Sequence, residues 1–556
     1  LTVKLPAFFK EPMTVKIQEM LIEALETLQI SQPTQIQIER TKHLDFGHFS
    51  TNLAMTLTKT LKRPPMVIAG EIINALPKRP EVVEKVEVKT PGFINFFLAS
   101  QELQTVVDEI LKSGSDYGRS SRGKNKKAQV EFVSANPTGP LTVGHGRQAV
   151  LGDTVARILE WNGYDVEREY YYNDAGRQMR ILGHSTFVRY RQALGFDDEF
   201  PEDHYQGEYI SYIAKTIVEK YGDLFKDDPE NEIFKNSAEH AVFEDIKTTL
   251  ERIDIKFDCF YNEKSLYENG EVEAVLKKFE EIGASYEKDG AIWFKASQYG
   301  GADDRVLWKS VMDEATYRLP DIAYHTTKFK RGFDIIVDIF GADHHATYPD
   351  VLAGLKALGY DTKRIKVLIH QFVTLTRGAD KMKMSTRKAN YVTVDELVDE
   401  VGKDVVRYFF IMRGMNSQLN FDLALAKTEG EENPVFYLQY AHARICSILR
   451  NANTQGIGLN EPFDAGLLRE AEALSLLNVL SEFPEVIGIC HDTLEPQHMT
   501  TYLQKLATAF HKFYTEHRVL TSDQNLSIAR IALIQAVRTV LSNGLRLIGI
   551  SALEKM

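Results

Sequence analysis

Residues 128–172 constrain the fold more than any other stretch. A strand is predicted over 128–133, and a Pro/Gly-rich loop follows at 136–140. A helix is predicted from about 144 to 161, ended by Asn162 and Gly163, and 165–172 reads as a second strand. Strand, loop, helix, strand is the repeating unit of a parallel, doubly wound sheet. The loop and helix start read Ser134-Ala-Asn-Pro-Thr-Gly-Pro-Leu-Thr-Val-Gly-His-Gly-Arg147. In such sheets ligands bind beyond the strand ends, where a strand passes into a helix. A helix start leaves backbone N–H groups unpaired and carries positive partial charge, which suits phosphate. Gly144 allows a nucleotide to approach the backbone, and His145 can donate to a phosphate oxygen as charge develops on it.

The 556 residues exceed one ordinary domain. Residues 1–118 read as a small α/β domain. Helical apolar spacing covers 14–28, 52–62 and 67–76, and Val- and Phe-rich alternation over 82–98 suggests strands around a turn at Pro91 and Gly92. Residues 119–395 form the expected sheet domain, interrupted over about 184–255 by an acidic, helical insertion. Further strand-like runs lie at 291–294, 335–338 and 366–369. Residues 396–432 read as connecting helices. Apolar stripes at helical period over 434–449, 467–486, 499–515 and 528–547 make 433–556 an all-α bundle.

Composition narrows the class. Hydrophobic residues at 44% and charged residues at 26% are ordinary for a soluble protein, and no stretch reads as long and apolar enough to span a membrane. The expected localisation is cytoplasmic. Cys259, Cys446 and Cys490 are scattered and form no CxxC pair, so neither a disulfide framework nor a bound metal is expected. A net charge of −12 runs against a generic nucleic-acid binder, but local basic clusters stand out. One is Arg119, Arg122, Lys124, Lys126 and Lys127. The other is Arg377-Gly-Ala-Asp-Lys-Met-Lys-Met-Ser-Thr-Arg-Lys388, a cationic loop after a strand with Ser and Thr donors, suited to a polyphosphate.

Together, Thr142-Val-Gly-His145 and Lys383-Met-Ser-Thr-Arg387 resemble the paired HIGH and KMSKS signatures of class I aminoacyl-tRNA synthetases. Thr142 stands where the family has its first histidine, and Thr386 where it has its second lysine, with Arg387 next to it. Further wording resembles the bacterial arginyl-tRNA synthetases: Ser-Ala-Asn-Pro-Thr-Gly-Pro from Ser134, Asn173-Asp-Ala-Gly-Arg-Gln178, Tyr205-Gln-Gly-Glu-Tyr-Ile210, Gly341-Ala-Asp-His-His345, and Tyr437-Leu-Gln-Tyr-Ala-His-Ala-Arg444. Arginine enzymes often depart from KMSKS and place a compensating lysine in the loop before HIGH. This chain has Gly139 there and keeps Lys383.

The resemblance implies a Rossmann-like catalytic domain that forms arginyl-adenylate from arginine and Mg-ATP. The arginyl group then passes to the 2′-hydroxyl of the terminal adenosine of tRNA(Arg), with activation itself requiring tRNA. It implies catalytic roles for Thr142, His145, Lys383 and Arg387. ATP contacts fall on Gly144, His145, Asp343, His344, Lys383, Met384 and Ser385. The arginine pocket falls on Asn136, Glu263, Tyr317 and Asp321. Two carboxylates, an amide and a phenol offer the acceptor oxygens that suit a planar, permanently charged guanidinium. Contacts to tRNA fall on Phe93 and Asn95, an aromatic platform beside an amide, and on Tyr437, Gln439, Tyr440 and Arg444. A monomer is expected. Two rivals remain open at this point: a class I enzyme for another amino acid, and an RNA-binding paralogue without ATP turnover.

Overall fold

The central sheet has five parallel strands in the order Ile365–His370, Ile335–Gly341, Lys127–Glu131, Asp165–Tyr172, Cys259–Asn262. The computed structural model describes residues 13–41, 43–309, 314–342, 345, 347–377, 380–381 and 392–556. Strand order runs outward in both directions from Lys127–Glu131, so the switch point lies between that strand and Ile335–Gly341. Ligands collect at such a point, beyond the carboxyl ends of the strands. The helix Val143–Trp161 follows the first strand and is buried over most of its length, because sheet, bundle and connecting helices all pack on it. Gly146 is required there: a Cβ on it would lie 2.8 Å from Val394.

The insertion is three helices, Gly176–Ala193, Glu208–Tyr221 and Glu232–Arg252, which pack on one another. The expected strand at 291–294 does not join the parallel sheet. Ala291–Phe294 belongs to a separate antiparallel sheet with Ser285–Lys288, Arg305–Lys309 and Glu314–Ala315. Residues 264–315 are thus a second excursion, docked on the helix Arg318–Lys330.

The N-terminal domain is an antiparallel sheet, Ile38–Arg40, Phe49–Thr51, Phe93–Leu98 and Val83–Lys89, covered by the helices Met13–Thr27 and Pro65–Ala75. Its Arg40 reaches the bundle and donates to Glu485 at 2.6 Å and to Asn478 at 3.2 Å.

In the bundle, the stripe expected as one helix over 467–486 is two, Ala471–Ser481 and Phe483–Thr493. Pro484 cannot continue a helix from within but fits the first turn of a new one. Residues 471–493 do have the length and hydropathy of a membrane span, contrary to the expectation from sequence. The fold accounts for the apolar run: most of it is buried in the bundle, and Glu482 at its middle is held by Lys505 at 2.7 Å.

Arg407, fully buried on the helix Lys403–Ile411, joins three parts of the chain. It donates to Asp153 of the helix Val143–Trp161 at 2.6 Å, to the carbonyl of Ile253 just past the insertion at 2.8 Å, and to that of Ile548 at the end of the bundle at 3.2 Å.

Candidate active site

A cavity of about 930 Å³ opens at the switch point, lined from both central strands and from Val143–Trp161. Among the predicted residues, Asn136, Thr142, Gly144, His145, Glu263, Tyr317 and Asp321 all line it. Asp343, His344, Lys383, Met384, Ser385 and Arg387 lie outside the described residues.

The loop entering the cavity is in an unusual conformation. Val133 and Ser134 both have positive φ, 66° and 43°. For a β-branched valine this is costly, and it persists only where the surroundings hold it. The Ser134 hydroxyl donates to Glu131 at 2.9 Å and accepts from the Tyr171 N–H at 3.2 Å. The Tyr170 hydroxyl donates to the Ala135 carbonyl at 2.8 Å. The sharp turn aims Asn136 across the sheet, where its carbonyl oxygen accepts from the Asn173 N–H at 3.0 Å and its amide donates to Gln178 at 2.9 Å.

Thr142 is the N-cap of the helix, in a reciprocal capping box with His145. The Thr142 N–H donates to His145 Nδ1 at 3.2 Å. With Nδ1 accepting, the ring proton sits on Nε2, so the imidazole is set as a donor. The position that holds a histidine in the family signature therefore serves here to fix the tautomer and seat of the remaining one. Behind the helix start, the N–H of Val143 bonds to the Val392 carbonyl at 3.2 Å and that of Val394 to the Leu141 carbonyl at 2.9 Å. The chain just past the predicted KMSKS-like loop is thus stapled to the chain just before the HIGH-like helix.

The cavity lining is also acidic. Glu263 accepts from the Tyr171 hydroxyl at 2.7 Å and from the Asn173 amide at 2.8 Å. Burial raises its carboxyl, and those two bonds work against the rise. Asp321 faces it from the first turn of Arg318–Lys330. Burial pushes the Asp321 carboxyl up to about 7; His325 opposes the shift and the charge of Glu263 adds to it. Tyr317, the N-cap of the same helix, is 85% exposed at the rim.

Below them lies a charge network that motif matching did not indicate. Lys328, fully buried, donates to Glu131 and Asp338, each at 2.6 Å, and His325 bridges Asp338 at 3.1 Å and the Asp321 carbonyl at 2.7 Å. Burial alone would raise the Asp338 carboxyl, but Lys328 and His325 outweigh it and hold it below its usual range. An acid in the apolar run Ile335–Gly341 was the one signal available in the sequence; nothing marked Lys328 as its partner.

The predicted tRNA residues divide by exposure. Phe93 is 38% exposed on its strand, whereas Asn95 is buried and accepts from the Ser50 hydroxyl at 2.7 Å. Tyr440 is exposed, stacked on Phe436 and on His511, with the exposed Arg444 guanidinium 5.9 Å from its ring. Tyr437 packs against His511. Gln439 points inward, its amide on Asp404 at 2.8 Å and on the Ser551 carbonyl at 3.0 Å.

A parallel sheet with a capped, histidine-bearing helix start at its switch point, an acidic pocket opposite and a helical bundle behind defines a class I aminoacyl-tRNA synthetase. The family model described as "tRNA synthetases class I (R), catalytic domain" matches residues 106–410, the arginyl-tRNA synthetase N-terminal domain matches 15–98, and the DALR anticodon binding domain matches 438–556. The chain belongs to the arginyl-tRNA synthetases. It is 51% identical to the arginine–tRNA ligase of Desulfotalea psychrophila over 521 residues, covering 93% of this chain and 94% of that one. Its identity to that of Chlorobaculum tepidum is 48%, covering 96% and 98%. Among solved structures, a putative arginyl-tRNA synthetase of Campylobacter jejuni has a TM-score of 0.76 at 33% identity, covering 83% of this chain and all of that one. That of Thermus thermophilus shares the fold, with a TM-score of 0.77 at 23% identity, covering 98% and 100%. The activity is that of an arginine–tRNA ligase, with arginine, ATP and tRNA(Arg) as substrates. This excludes both a different amino acid and a non-catalytic paralogue.

Burial of Asp321 has a consequence for pH. A carboxyl must be ionised to pair with a cation, and this one ionises only near pH 7. A cation that pairs with Asp321 below that pH must expel a proton, and we expect arginine to be that cation. We expect kcat/KM for arginine to rise with pH up to about 7 and then level off, a profile that reports the free enzyme. Asp321→Asn should flatten the rise; a parent profile already flat from pH 5.5 to 8 would contradict it. The same shift costs the ligand-free fold stability as pH rises from 3.8 towards 7, because the folded state holds the proton that the unfolded state releases.

Proposed function

We propose that this chain activates arginine in the cavity at the sheet's switch point, with Glu263, Asp321, Asn136 and Tyr317 holding the substrate and the helix start at Thr142–His145 holding the phosphates. The observation that carries this is the lining of the cavity, which brings the carboxylates of Glu263 and Asp321 together with a helix N-terminus that bears a donor imidazole.

The guanidinium lies between Glu263 and Asp321, whose two carboxylates match its forked donors. Tyr317 folds inward from the rim to cover it. The substrate carboxylate then attacks the α-phosphate of ATP, carried as its magnesium complex, and pyrophosphate leaves. His145 Nε2–H and the positive end of the helix dipole stabilise charge on the phosphate oxygens as it develops. Lys383 and Arg387, with Met384, Ser385, Asp343 and His344, complete the nucleotide side. No enzyme side chain forms a bond to substrate. The 2′-hydroxyl of the terminal adenosine of tRNA attacks the arginyl carbonyl of the adenylate, breaking its bond to phosphate and releasing AMP and the hydroxyl proton, and activation requires that tRNA be bound. Phe93 meets the tRNA as a stacking platform on the N-terminal domain, with Asn95 beneath it. Tyr440 and Arg444 face the anticodon, supported by Tyr437 and Gln439 from within. The enzyme works as a monomer in the cytoplasm, a setting supported by its three free cysteines.

His145→Ala tests the phosphate role. Loss of one transition-state donor costs about 100-fold or more in turnover, and we expect that loss in kcat for adenylate formation with KM for arginine nearly unchanged. Turnover within a few-fold of the parent would remove His145 from the mechanism.

A further inference from the structure

The helical insertion touches both chain segments that frame the nucleotide end of the cavity. At one end Tyr209, in the first turn of Glu208–Tyr221, donates its hydroxyl to the Thr138 carbonyl at 2.5 Å. The side chains of Thr138 and Tyr205 are also hydrogen-bonded to each other. Gly139 lies directly beneath, where a Cβ would come to 3.0 Å from the Tyr209 oxygen. At the other end Thr249 and Arg252, in the last turn of Glu232–Arg252, both bond Asp395, and Arg252 also bonds Asp399. Those aspartates sit on the helix Val394–Val401, whose start is stapled to Leu141 and Val143.

Thr138 is the tip of the loop that begins with the left-handed Val133 and Ser134. Its N–H bonds to the Asn136 carbonyl at 2.7 Å, so its position sets that of Asn136 on one side and of the helix start on the other. A loop in a costly backbone conformation keeps its shape only if it is held from outside, and Tyr209 and Tyr205 both hold its tip from the insertion. We propose that the insertion is a brace for catalysis and that Tyr209 is its positioning residue, holding Thr138 so that Asn136 and His145 stand in reacting register. Tyr205 supports the same point from its side chain, and the Thr249–Arg252 contact fixes the far end of the brace. The proposal rests on the roles assigned above to Asn136 and His145.

The test is Tyr209→Phe in the full-length enzyme, which removes one hydroxyl and keeps the ring. Activation is measured with tRNA present and expressed per active site, with the number of sites found by titration of the first-turnover burst. A small misplacement of reacting groups is enough to cost one to two orders of magnitude. We expect kcat to fall about tenfold, with full burst amplitude, KM for arginine within twofold and an unchanged melting temperature. Tyr205→Phe added to it should lower kcat further, and Thr249→Val, at the other end, should lower it several-fold on its own. A kcat per titrated site within twofold of the parent overturns the brace. So does a loss confined to burst amplitude or melting temperature, which would make Tyr209 a packing residue. His145→Ala in the same assay separates the two claims: normal turnover there together with slow turnover in Tyr209→Phe would retire the role of His145 and leave the brace standing.

Discussion

Asp321→Asn is expected to lower kcat/KM for arginine by about a thousandfold. Asparagine keeps the size and one acceptor oxygen but cannot carry charge. Glu131 and Asp338 are already shared with Lys328, so their charge is partly spent inside the fold. Among the described residues of the cavity, the carboxylates left for a guanidinium are Glu263 and Asp321. Glu263 is engaged by Tyr171 and Asn173, which fix its orientation. Removing one partner of a desolvated charge pair costs about 2–5 kcal/mol, and 4 kcal/mol is close to a thousandfold in binding. The loss should appear mainly in KM for arginine, with KM for ATP little changed. A change below tenfold would mean that the guanidinium is held elsewhere in the cavity.

The second large effect is on stability. Arg407→Met preserves side-chain bulk and removes the guanidinium that joins the catalytic helix, the end of the insertion and the end of the bundle. Asp153 keeps Arg157 at 2.7 Å and Arg168 at 3.1 Å, so it is not abandoned. The carbonyls of Ile253 and Ile548 lose a charged donor in a buried interface. Breaking a buried ion pair costs about 3–5 kcal/mol; with Asp153 still paired, about 3 kcal/mol is expected. Calorimetry should show a lowered melting temperature and a less cooperative transition, because the lost contacts lie between domains. A variant as stable as the parent would place Arg407 among buried ion pairs that apolar groups replace without cost.

The N-terminal helices and most of the bundle were legible because each buries one stripe and so repeats at helical period. The helix pair at 471–493 was less so: its apolar stripe runs through the break, and Pro484 is tolerated in a first turn. Ala291–Phe294 has the composition of a central strand, but four apolar residues do not say which sheet they join. In the site, Asn136, His145 and Glu263 were legible because each sits in a distinctive local wording. Glu131, Lys328 and Asp338 were not, since the bond from Lys328 to Glu131 spans 197 residues of chain and no local pattern marks it. The conformation at Val133 and Ser134 was equally invisible, as it depends on what the surrounding strands and tyrosines hold in place.

On the proposed function, the acidic cavity selects arginine and activates it only on the tRNA-bound enzyme. Pyrophosphate exchange into ATP, run with each amino acid in turn and with or without tRNA, tests it most directly. We expect exchange with arginine alone among the amino acids, and only when tRNA is present. Exchange with arginine in the absence of tRNA would contradict the coupling. Exchange with another amino acid, or none at all, would contradict the pocket.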